Sequence, residues 1–132
     1  YTSNSTLGFR HGPKAIVNEE KIVFELINQN QYAKKYDEGL LEEMYEDNTA
    51  AKLVAYCIKT SETIEKNTIE YVAPEIEEKI NNNELYGLFI YLIYGQMYAF
   101  FKSQYLGNTT DNPFPTGEVN RVVKKFKIHE FN

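Results

Sequence analysis

Cysteine occurs once in the 132 residues, at Cys57, which excludes an internal disulfide and a cysteine-based zinc site. The chain has no Walker loop, no GxGxxG turn, no nucleophile elbow and no HExxH helix. Its two histidines, His11 and His129, stand far apart, and no Asp/His spacing points to a metal, so no cofactor is expected. An excess of positive charge is also lacking. The net charge of −5 argues against general nucleic-acid binding, which calls for basic surfaces. Aliphatic residues are sparse: the hydrophobic fraction of 42% includes 11 tyrosines, so tyrosine must fill the gap, in the core or at an interface. A chain of this length nonetheless suits one domain with its own core. It starts at Tyr1 instead of Met, as a processed or trimmed piece would. With no signal peptide, no twin-arginine start and a single thiol, the cytoplasm is the expected compartment.

Along the chain, residues 1–8 are polar and read as a loop, and Pro13 is placed to open a short helical turn through Val17. Residues 21–27 (KIVFELI) read as a buried strand of a parallel sheet, with Glu25 marking a face that is wet or paired. An amphipathic helix is predicted over 31–47, where Tyr32, Tyr36, Leu40 and Met44 step by four and Leu41 and Tyr45 widen the stripe. Glu42, Glu43 and Glu46, with Lys34, Lys35 and Asp37, are expected on its solvated side. Further strands are predicted at 52–58 (KLVAYCI) and 68–72, and the strand–helix–strand alternation implies a parallel α/β sheet. The link 59–67 is too short for a full crossover helix, so a helical turn is expected there.

Residues 84–106 are apolar on nearly all sides. Their uninterrupted part, 85–101, is at the lower limit of the roughly 17–25 residues of a membrane span, and Tyr86, Tyr91, Tyr94, Gln96 and Tyr98 stud its middle. A helix buried between a sheet and another subunit or domain is expected instead, with at least one of Tyr91, Tyr94 and Tyr98 meeting a second chain or domain and Gly107 as its C-cap. The tail 108–132 carries turn residues Pro113, Pro115 and Gly117, then a basic, strand-like segment over 119–131.

Few residues invite chemistry. The acidic clusters at 42–43 and 75–78 read as solvated faces, Cys57 as a small core residue and His129 as part of a strand. His11 differs: it stands between Arg10 and Gly12-Pro13-Lys14 at a loop-to-helix junction. Such a junction offers free backbone N–H groups and partial positive charge to an anionic substrate. A histidine there can shuttle a proton near neutral pH.

The string Thr6-Leu7-Gly8-Phe9-Arg10-His11-Gly12-Pro13-Lys14 resembles the second sugar-isomerase (SIS) domain of tagatose-6-phosphate ketose/aldose isomerase-like proteins. The tail is similar to the same family's ending, through Asp111-Asn112-Pro113 and Pro115-Thr116-Gly117-Glu118-Val119-Asn120-Arg121-Val122-Val123, and Ala99-Phe100-Phe101-Lys102-Ser103 and Leu106-Gly107 sit where its long helix ends. The resemblance implies an α/β fold: a three-layer, parallel-sheet, phosphosugar-binding SIS unit. It also implies aldose–ketose isomerisation of a hexose 6-phosphate, or coupled isomerisation and deamination of an amino-sugar phosphate. In the related isomerase domain of glucosamine-6-phosphate synthase the matching histidine assists ring opening in a neighbouring subunit's site. His11 takes that place, Arg10, Lys14, Arg121 and Lys124 are the implied substrate-binding residues, and a homo-oligomer is the implied partner state. No nucleic acid or membrane is implied.

The departures are specific. The family's general-base glutamate lies upstream of HGP, and the first strand of the unit and the whole first SIS domain are absent. The synthase's C-terminal lysine falls on Val123 when aligned on Asn120, and on Lys124 only with a gap. The chain, 1–132, thus reads as the C-terminal two-thirds of one SIS domain, inactive alone. The alternatives are a non-catalytic phosphosugar-binding module and a subunit-interface piece.

Overall fold

The computed structural model describes residues 2–75 and 83–110, together with 114, 116, 129 and 130. Most of the tail motif, the strand-like segment before His129, Arg121, Lys124 and residues 76–78 of the second acidic cluster lie outside the described residues. The chain divides into two compact units, Tyr1–Leu92 and Ile93–Asn132.

The first unit opens with helix α1 (Thr6–Arg10), where a loop was expected. Ser5 accounts for the difference: its side chain accepts the Gly8 N–H and caps the first turn. A 3₁₀ turn follows over Pro13–Ile16, as Pro13 predicts. Strands β1 (Ile22–Leu26), β2 (Lys52–Tyr56) and β3 (Glu70–Val72) form a parallel sheet in the order β1-β2-β3. Val23 is registered with Leu53, Glu25 with Ala55 and Val54 with Glu70.

Helix α2 spans Gln31–Asp47, the predicted bounds. Asn30 sets its start by accepting the Tyr32 and Ala33 N–H groups, and Asn48, in the left-handed region at φ 48°, ends it. The link before β3 holds a true helix, α3 (Glu62–Asn67), not merely a turn. Six helical residues fit because Ser61 caps the Ile64 N–H directly after the loop.

Side chains alternate across the sheet, and its two faces differ. Ile27, Leu53, Ala55 and Cys57 form the core with Leu40, Leu41 and Met44 of α2 and Ile64 of α3. On the other face Ile22, Phe24 and Leu26 are exposed, with Phe24 stacked on Tyr56 at 5.8 Å. The open face of this strand is thus the one that carries Ile22, Phe24 and Leu26, not the one that Glu25 marks. Helices α2 and α3 cover the face that carries Leu53, Ala55 and Cys57.

The stripe of α2 also differs from the tyrosine pattern. Tyr32, Tyr36 and Tyr45 are exposed, whereas Lys34 and Asp37 are buried. Each buried polar group has a partner that periodicity does not reveal. Lys34 Nζ donates to the Lys59 carbonyl at 3.0 Å and lies 3.7 Å from Glu38. Asp37 accepts the Thr6 hydroxyl at 2.6 Å and the Asn28 N–H at 2.8 Å.

Helix α4 (Glu84–Tyr105) matches the predicted span. It ends as expected: Gly107 has φ 74° and donates its N–H to the Gln104 carbonyl, and Asn108 donates to Ser103. Gly87 is its one buried residue among those described. Leu88, Phe89, Leu92, Ile93, Met97 and Phe101 are exposed. No described helix is long and apolar enough to cross a membrane.

Candidate functional site

The candidate site is built where α1 hands over to the 3₁₀ turn. His11 is the C-cap of α1, its N–H donating to the Gly8 carbonyl at 3.1 Å, and its side chain is exposed. Gly12 follows with φ 152°, a conformation that L side chains rarely adopt. Pro13 then starts a turn whose Ala15 N–H bonds to the Gly12 carbonyl. The imidazole is thus exposed at the junction between α1 and the turn. A shallow depression beside it is lined by Arg10, Gly12, Lys14, Val17 and Asp47, without His11.

The cations on either side of His11 are not free to act as a bare positive patch. Arg10 Nε donates to Glu43 Oε2 at 2.8 Å. Lys14 Nζ pairs with Glu43 Oε1 and with Asp47 Oδ2, the latter at 2.5 Å. These bonds hold the Lys14 ammonium charged above its usual range, with Asp47 contributing most and Glu43 next. They lower the Glu43 carboxyl, through Lys14 first and Arg10 second. Two cations and two carboxylates make the group neutral overall. Glu43, expected to be solvated, is half-buried and paired.

Sequence reasoning missed Glu43 and Asp47, although a signal was present. Arg10 and Lys14 are four residues apart, and so are Glu43 and Asp47, so the spacings match. Glu25, expected on a face that is wet or paired, is neither wet nor paired among the described residues. The Glu25 side chain points to the helix-covered face, is 7% exposed, and neither carboxylate oxygen finds a hydrogen-bond partner among the described residues. Burial, reinforced by the Asp37 charge and opposed by Arg10, pushes its pKa up to about 8. Cys57 is buried in the core and its thiol is pushed up, chiefly by desolvation, as a structural cysteine requires. His129 is exposed. Among the described residues no group of three or more His, Cys, Asp or Glu could hold a metal ion.

No family profile matches the chain. It is 34% identical over 126 residues to the D-galactosamine-6-phosphate deaminase AgaS of Escherichia coli O157:H7, covering 96% of this chain and 32% of that protein. It is 31% identical over 127 residues to AgaS of Shewanella sp. ANA-3, covering 96% of this chain and 29% of that protein. The crystal structure of tagatose-6-phosphate ketose/aldose isomerase from Escherichia coli superposes with a TM-score of 0.72 at 30% identity, over 80% of this chain and 28% of that one. That of a Clostridium novyi NT protein assigned to the same isomerases superposes with a TM-score of 0.77 at 39% identity, over 96% of this chain and 32% of that one. The chain spans about a third of the length of the curated relatives it matches. Over nearly its whole length, then, this α/β chain resembles one part of a larger SIS-type protein of the tagatose-6-phosphate ketose/aldose isomerase kind.

Proposed function

We propose that this chain is the His11-bearing part of a sugar-phosphate aldose–ketose isomerase. Its substrate is a hexose 6-phosphate such as tagatose 6-phosphate, or an amino-sugar 6-phosphate whose isomerisation is coupled to loss of ammonia. The observation that carries this reading is the exposed imidazole at the Gly12-Pro13 bend, in a chain similar to both a ketose/aldose isomerase and a galactosamine-6-phosphate deaminase. Opening a cyclic sugar needs a proton moved between the ring oxygen and the anomeric hydroxyl. A neutral imidazole takes the hydroxyl proton at one nitrogen, and its protonated form returns one to the ring oxygen.

The proton shift between C1 and C2 needs a separate base, which we assign to a part of the enzyme outside these 132 residues. Phosphate contacts by Arg10 or Lys14 require exchange with Glu43 and Asp47. Arg121 and Lys124 remain candidates for the substrate's anionic end. The enzyme is cytoplasmic and homo-oligomeric in this reading, with His11 reaching a neighbouring subunit's site. A subunit-interface role is the second reading, favoured by the exposed apolar residues of α4.

Incubation with tagatose 6-phosphate and galactosamine 6-phosphate tests the proposal, following sugar interconversion by NMR and ammonia release by coupled assay. The longer enzyme turns over at least one of them, and the 132-residue chain turns over neither. Turnover by the chain alone would show that the base is misplaced. Inactivity of the longer protein on both substrates would remove the enzyme reading.

A further inference from the structure

The geometry points to Glu43 as the positioning residue of the His11 bend, a role that rests on the ring-opening reading above. One carboxylate takes cations from both sides of the histidine: Arg10, the residue before it, on Oε2, and Lys14, three residues after it, on Oε1. Glu43 is itself well anchored. Leu41 and Met44, its neighbours on α2, are fully buried in the core, so the backbone carrying the carboxylate is fixed. The Arg10 guanidinium reaches it by lying across α2 at Gly39, where an added Cβ would stand 3.7 Å from Nη2.

Between the two anchors lies Gly12, the residue with the widest backbone freedom in the bend. With one anchor, rotation at Gly12 lets the segment swing. With one on each side, the origin of the imidazole is set relative to α2. An isolated surface ion pair stabilises a fold little. Its worth here is orientation, because proton transfer requires heavy atoms within hydrogen-bond reach, and a misplacement of about 1 Å costs on the order of 10²-fold in rate. Glu43 touches no reacting atom and acts through His11.

The test uses Glu43→Gln, with Glu42→Gln, at the exposed neighbouring position, as control. Hydrogen exchange in the 132-residue chain reads the clamp directly. Glu43→Gln speeds exchange at the His11, Ala15 and Val17 amides by roughly 3–10-fold, while the Ile27 and Cys57 amides of the sheet keep their rates. Equal acceleration everywhere, or none at the bend, overturns the proposal.

Kinetics of the longer enzyme read the link to His11. Glu43→Gln lowers kcat on cyclic substrate by roughly 10-fold or more with KM little changed, spares an open-chain analogue, and adds almost nothing to a His11→Asn background. Losses that multiply in the double variant overturn the positioning role even if exchange responds. A His11→Asn enzyme with unchanged activity refutes the ring-opening reading, and with it a catalytic purpose for the clamp, whether or not the exchange result holds.

Discussion

Tyr91 donates its phenolic hydrogen to the backbone carbonyl of Ile27, tying the first half of α4 to the residue that follows β1. The two are 64 residues apart in sequence. Ile27 is already engaged through its N–H, which bonds to the Tyr56 carbonyl at 2.8 Å, so one residue links two strands and a helix. Gly87, one turn earlier on α4, meets the Gln29 side chain so closely that an added Cβ would stand 2.7 Å from it. Within the unit Tyr1–Leu92, the start of α4 is therefore fixed by a hydrogen bond and a close approach, not by a broad apolar face.

Replacing Tyr91 by Phe keeps the ring and removes the donor. The expected loss is about 1 kcal/mol in denaturant unfolding, with faster amide exchange at the start of α4. An unchanged midpoint together with unchanged exchange would show that this bond does not hold the helix.

The lining of α2 makes a second, differential prediction. Leu41 is wholly buried, whereas Tyr36, which shares the sequence's four-residue stripe, is 41% exposed. Leu41→Ala is expected to cost about 2–5 kcal/mol and Tyr36→Ala within about 0.5 kcal/mol, both measured by urea denaturation. Equal costs would restore the tyrosine stripe as the packed face.

That contrast indicates how far the sequence could be read. The span of α2 was legible from its four-residue stripe, and Asn30 and Asn48, which cap it, act locally. Its buried face was not, because Lys34 and Asp37 are held inside by the Lys59 carbonyl, the Thr6 hydroxyl and the Asn28 N–H, partners contributed by other elements. Tyrosine can lie on a wet surface with its hydroxyl hydrated or, as Tyr32 and Tyr36 do at 2.8 Å, bonded to another. The bend at Gly12-Pro13 was legible from residue type alone. The electrostatics around it were not, since the charges that cancel Arg10 and Lys14 lie about thirty residues away on α2.

Glu25 gives the pH dependence. Its carboxyl titrates near 8 when folded, against an ordinary value of 4.5, so the folded state holds a proton that the unfolded chain has released. Stability from this group is full below about pH 4.5 and falls as pH rises towards 8. Glu25→Gln removes the titration. At pH 8.5 the variant is expected to exceed the parent by an additional 2–4 kcal/mol or so relative to their difference at pH 4, read from unfolding curves at the two pH values. A parent-to-variant difference that does not change with pH would show that Glu25 ionises freely in the folded chain.

Leu88, Phe89, Leu92 and Ile93 of α4 are each half or more exposed, and exposed apolar residues grouped on one element mark candidate contact surfaces. In sedimentation the 132-residue chain is expected to associate with rising concentration, and Leu88→Lys with Leu92→Lys to weaken that association. A parent that stays monomeric at high concentration would count against an oligomer built on this helix.

The central claim is that His11 moves the proton that opens the sugar ring, and the direct measurement is the kcat of His11→Asn in the longer enzyme on cyclic and open-chain substrates. Asparagine keeps much of the size and some hydrogen bonding but loses the titratable nitrogen. On the cyclic hexose 6-phosphate, kcat is expected to fall by roughly 10²–10⁴-fold, while an open-chain analogue, which bypasses that step, is turned over at nearly the parent rate. Equal losses on both substrates would contradict ring opening as the role of His11, and no loss on either would make it an ordinary exposed histidine.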